Sequence, residues 1–132
     1  MILKVFVEKL AAQLPDCSWH VVPGEQPKIV FPAVSQEFGD IDVTEEDGEL
    51  TVTFGRFTHA HFACYDADLS EAAQADQISS NAISSLADTF ADRLEFYGNH
   101  SGRGGFRQRT TEGTPSKLLA GKDMHVWSGS DG

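Results

Sequence analysis

The sequence predicts an α+β domain in which a mainly antiparallel sheet of about six strands is covered on one face by an N-terminal helix and a longer central helix. Three observations predict it. Two alternating runs flank Asp47-Gly48, and an apolar stripe at helical spacing runs from Ala75 to Phe90. The strands come in blocks on either side of that stripe, with no βαβ alternation of the kind a doubly wound fold requires.

The elements follow in order. Ile2, Leu3, Phe6, Val7, Leu10, Ala11 and Leu14 recur at three and four, which predicts an amphipathic helix over 2–14, stopped by Pro15. Residues 18–22 and 28–31 are short apolar runs split by Pro23, Gly24 and Pro27, the punctuation of two strands joined by a tight loop. Ile41 and Val43 then alternate with polar neighbours, as do Leu50, Val52 and Phe54, and Gly48 between them accepts the positive φ that a hairpin turn requires. The second of these strands is expected to continue through Gly55 to Cys64, with room for a bulge at Gly55.

Asp68 and Ser70 are both candidate caps for the central helix over 70–91. In it Ile78, Leu86 and Phe90 are expected to face the sheet, with Ser79, Ser80, Ser84 and Ser85 toward water or the edge of the stripe. After Asp92 the period changes to two at Leu94 and Phe96, which predicts a strand, and 106–110 and 124–127 are candidates for two more. Residues 101–105 and 111–121 read as connections, and 128–132 as a frayed tail, so the whole of 1–132 is one domain.

The charge is unevenly spread. Up to His100, five basic residues face 17 acidic ones, a balance of −12; from Ser101 onward five basic residues face three acidic ones, a balance of +2. The net charge of −10 repels a polyanion, so nucleic acid is not expected as a partner, whereas a basic protein or a small anion is compatible. The two cysteines, Cys17 and Cys64, form neither a disulfide framework nor a cysteine zinc site and are expected to be thiols in a reducing compartment. Lys4, Glu8 and Lys9 interrupt the apolar start before a signal-peptide core is complete, and no stretch is long enough to span a bilayer. The expectation is a cytoplasmic protein with no membrane association and an oligomeric state left open.

Two constellations carry possible chemistry. In an extended Thr58-His59-Ala60-His61-Phe62, His59 and His61 share one face, where they can hold a divalent metal between them. Counting from core-facing Leu50, Val52 and Phe54 without a bulge, both fall on the opposite face with Thr51, Thr53 and Phe57; a bulge at Gly55 would bury them. A complete site needs a third ligand from Asp66, Asp68, Asp92, His100 or His125, and no spacing fixes one. An ordinary pair of strand histidines bonded to neighbouring carbonyls or carboxylates, with a structural or pH-sensitive role, is the simpler reading.

The second constellation is the basic, glycine-rich segment 98–109, where Arg103, Gly104, Gly105 and Arg107 are candidates for holding a phosphate or carboxylate. It follows a strand without opening a helix and lacks both the P-loop and the dinucleotide spacing, so a solvated hairpin loop is the simpler reading.

No complete catalytic set is present. There is no Gly-x-Ser-x-Gly elbow, and Cys64 lies at an odd spacing from His61, which in a strand sends the two to opposite faces. The acidic run Asp40, Asp42, Glu45, Glu46 and Asp47 reads as a solvated strand face and turn or, more sharply, as a docking surface for a basic partner.

His59-Ala60-His61-Phe62 with Tyr65, Phe90-Ala91-Asp92-Arg93 and Trp127-Ser128-Gly129 together resemble a family of small uncharacterised bacterial proteins that carries no assigned activity. Size and charge are also similar to those of bacterial immunity proteins, which bind and block a toxin. The expectation is therefore a non-enzymatic interaction domain of acidic, immunity-like type that binds a basic protein and needs no cofactor. Its alternative is a small metal-binding protein or metal-dependent enzyme centred on His59 and His61.

Overall fold

The computed structural model describes residues 2–36, 38–55, 57–97, 105–108 and 126–128, with the side chains of 97, 105, 107 and 108 outside the description. Two helices, α1 (Ile2–Gln13) and α2 (Glu71–Phe90), pack on one face of a five-stranded antiparallel sheet, the α+β arrangement expected. The sheet is a meander of β1 (His20–Val22), β2 (Lys28–Phe31), β3 (Ile41–Glu46), β4 (Glu49–Phe54) and β5 (Thr58–Phe62), in spatial order β1-β2-β3-β4-β5. A separate antiparallel pair, β6 (Leu94–Tyr97) and β7 (Gly105–Gln108), follows α2.

The β3–β4 hairpin forms as its sequence dictates. Asp47 and Gly48 both adopt positive φ, +50° and +78°, and the register pairs Val43 with Val52 and Glu45 with Leu50. Period two then fixes the faces: Ile41, Val43, Leu50, Val52 and Phe54 are fully buried on the core side, Phe54 against Phe96 and Phe106 of the β6–β7 pair, while Asp42, Thr44, Thr51 and Thr53 stand on the other side. Each buried apolar side chain of this size contributes roughly 1.5–3 kcal/mol relative to exposure.

The expected extension of β4 to Cys64 is replaced by a second hairpin. Gly55 takes φ +54°, its N–H donates to the Asp40 carbonyl at 2.9 Å, and the chain reverses so that Thr58–Phe62 runs back along β4. Phe57, expected on the polar face, sits in this reversal and is only 1% exposed, because a turn residue is not bound by strand parity.

α2 begins at Ser70, whose Oγ accepts from the Ala73 N–H at 3.2 Å. It ends in a Schellman arrangement: Ala91 is the cap, Asp92 adopts φ +58°, and the N–H groups of Asp92 and Arg93 donate to the carbonyls of Thr89 and Asp88. Ile78 and Leu86 face the sheet as the stripe predicts, and half-buried Phe90 packs against Phe31. Ser79 departs from the expectation. It is 0% exposed and its hydroxyl has no hydrogen-bond partner, on a helix that packs against both the sheet and α1.

α1 is tied to the rest of the fold at its first turn and again at Lys9. The Glu45 carboxylate, at the end of β3, accepts from the Leu3 N–H at 2.9 Å, a cap supplied from elsewhere in the chain. Lys9 pairs with Asp76 of α2 at 2.7 Å. Phe38, from the loop between β2 and β3, is the hub of an aromatic cluster, with ring centroids 5.2 Å from Phe57, 4.9 Å from Phe96 and 5.4 Å from Trp127. Of the strand expected at 124–127, residues 124 and 125 lie outside the described ones; Trp127 and Ser128 form a turn, with Trp127 buried.

Candidate functional site

The outer face of the sheet is built by the same alternation that fills the core. Antiparallel register aligns Asp42, Thr53 and His59 in one row and Thr44, Thr51 and His61 in the next, with Glu46 opposite Glu49 at the hairpin end. Lys28 of β2 stands beside Thr44 and reaches the Asp42 carboxylate at 3.5 Å. The result is a sheet face of threonines, carboxylates, Lys28 and three imidazoles, His20 of β1 standing in the row of Asp42 and His59 through Val30.

His59 and His61 lie on this exposed face, where the count without a bulge places them. The β4–β5 ladder joins odd positions to odd, so the intervening reversal leaves their parity with Thr51 and Thr53 unchanged. Their ring centroids are 5.1 Å apart at 83°. His61 Nδ1 shares a hydrogen bond with Thr51 Oγ1 at 3.0 Å and lies 3.7 Å from Glu49 Oε2, which orients the ring through one nitrogen. Such a pair can chelate a divalent cation from one side, leaving its other coordination positions to water or a partner.

Among the described residues, no group of three or more His, Cys, Asp or Glu side chains converges as a metal site. Asp66 accepts from the Asp68 N–H in the loop before α2, and Asp92 is engaged at the far end of that helix by Ser128. His100 and His125 lie outside the described residues, as do Arg103 and Gly104 of the basic segment. Gly105 and Arg107 are backbone members of β7, where Arg107 stands opposite Glu95. Cys64 lies beyond the end of β5, and its thiol donates to Gln77 Oε1 at 3.1 Å.

The acidic run divides. Asp42 and Glu46 join the outer face, whereas Asp40 accepts from the Ala33 N–H at 2.7 Å and Glu45 caps α1, so these two are structural. A cavity of about 460 Å³ lies away from the histidines, between the segment after α1, the end of β2 and the end of α2. Cys17 is on its wall, and burial pushes that thiol's pKa up. None of this was visible in the sequence, because the walls come from four separated stretches.

No family model matches the chain, and no match was found among curated proteins or solved structures. No helix among the described residues is long and apolar enough to cross a membrane.

Proposed function

We propose that this chain is a non-enzymatic interaction domain that binds a basic protein through the outer face of its five-stranded sheet. One observation carries the reading: the face opposite the helices presents Asp42, Glu46 and Glu49 among Thr44, Thr51, Thr53, His59 and His61. Carboxylates dispersed over a surface of short polar side chains, on a chain of net charge −10, complement a basic partner and speed its encounter. An immunity-like role, in which the partner is a toxin held inactive, is the specific form of this reading. A photo-crosslinking residue at Thr53 tests it in cells of the source organism. The expected result is an adduct with one basic protein, weakened about tenfold or more by Glu46→Lys with Glu49→Lys and by raised salt. No adduct at low salt, or an adduct indifferent to both changes, overturns it.

A second reading rests on the 5.1 Å separation of the His59 and His61 rings on an exposed strand. In it the pair binds a divalent metal such as zinc or nickel, in a metal-binding protein or a metal-dependent enzyme. The parent protein is expected to bind about one equivalent with a rise in Tm, and His59→Ala with His61→Ala to lose both while staying folded. Absence of any thermal shift on adding zinc or nickel removes this reading.

A further inference from the structure

We propose that the cavity between the segment following α1 and the C-terminal end of α2 is a binding site for a small aromatic amine. Its volume of about 460 Å³ falls in the range of small-molecule sites. Three aromatic residues line it, Phe31, Phe90 and Trp127, and they form a continuous wall: Phe31 and Phe90 ring centroids are 5.2 Å apart, and Phe90 and Trp127 centroids 5.3 Å. Val34 at its edge is 67% exposed, so apolar surface is open to solvent beside the cavity.

The wall selects the ligand's chemistry. Tilted rings offer both edges and faces, which favours an aromatic guest over an aliphatic one, and the faces of Trp127 and the phenylalanines attract a cation. Among the described residues Asp16 is the one charged residue lining the cavity, and the whole chain is strongly negative. An ammonium group on the guest therefore gains from Asp16 and from the field of the protein, while a carboxylate is repelled. The site is held in shape from outside: Ser128, next to Trp127, donates from its N–H and its hydroxyl to the Asp92 carboxylate.

The test uses three probes of one shape: 2-(1-naphthyl)ethylamine, 2-(1-naphthyl)ethanol and 1-naphthylacetate. Two readouts locate the site. In a Trp19→Phe background the Trp127 indole N–H is followed by NMR, and in a Cys64→Ser background the alkylation of Cys17 is timed. The amine is expected to shift the indole signal and shield Cys17, and to bind about tenfold more tightly than the acid, the alcohol falling between them. Cys17→Phe, which places a ring in the cavity, is expected to abolish binding. Asp16→Lys, at an exposed position, is expected to weaken the amine and strengthen the acid, and it keeps the proposal testable if the filled variant does not fold. The proposal is overturned if the amine neither shifts Trp127 nor shields Cys17, or if folded Cys17→Phe binds it unchanged. It is equally overturned if Asp16→Lys leaves the order of the three probes as it was.

Discussion

The backbone of Gly55 lies against the carbonyl of Phe38, so closely that a Cβ at position 55 would overlap the Phe38 oxygen. Gly55 also holds φ at +54°, where side chains are disfavoured. This contact joins the β4–β5 reversal to the loop that delivers Phe38 into the aromatic cluster. Gly55→Ala is therefore expected to cost about 3 kcal/mol or more, from the left-handed backbone and the forced displacement of Phe38 together. Urea unfolding measures it, and a loss within about 0.5 kcal/mol of parent would mean that the reversal is not built as described.

Ser79 makes the opposite prediction. A buried hydroxyl without a partner carries an uncompensated desolvation cost, and alanine is the better helix former. Ser79→Ala is expected to stabilise by about 1 kcal/mol, Ser84→Ala on the exposed side to change little, and Leu86→Ala to cost about 2–5 kcal/mol. The order of the three denaturation midpoints checks the rotation of α2 about its axis.

Where local chemistry decides the outcome, the fold was legible. Asp47-Gly48 and strict alternation fix the β3–β4 hairpin and its faces, and the 3.6-residue period fixes the buried side of α2. The face carrying His59 and His61 was not fixed by the sequence, since a bulge at Gly55 would reverse it, and only the odd-to-odd β4–β5 register sets them on the outer face with Thr51 and Thr53. Phe38 and Phe57 were not legible, because a loop and a reversal impose no period on their side chains. Nor were Glu45 as the cap of α1 or Asp92 as the partner of Ser128, since each serves a residue dozens of positions away. Ser79 looked solvated because serine is usually exposed, and its burial depends on tertiary packing that the helical period does not report.

Burial raises the pKa of Cys17, so the fold favours the neutral thiol. The sign follows: this preference contributes stability in full below the unfolded-state pKa, and it is lost as pH rises from there through the folded-state pKa. In a Cys64→Ser background, the pH midpoint for alkylation of Cys17 is expected to lie higher in the native protein than in urea. Equal midpoints would show that the thiol is solvated and the cavity wall open at that point.

Asp92 serves two structures at once, closing α2 at φ +58° and accepting two hydrogen bonds from Ser128. The two roles separate by substitution. Asp92→Gly keeps the left-handed conformation and loses the carboxylate, whereas Asp92→Ala loses both, so the glycine variant is expected to be the more stable of the two by about 1 kcal/mol. The hydroxyl bond's contribution is read from a double-mutant cycle of Asp92→Ala with Ser128→Ala, which leaves the backbone N–H donor of residue 128 in place. A coupling of about 1–2 kcal/mol is expected, since the bonds are charge-assisted but partly exposed to water. Because Trp127 adjoins Ser128, both single variants should also broaden or shift its indole resonance. Strict additivity with an unchanged Trp127 signal would show that the hydroxyl bond adds nothing, and that packing against Phe38 and Phe90 with the backbone N–H bond holds the tryptophan in place.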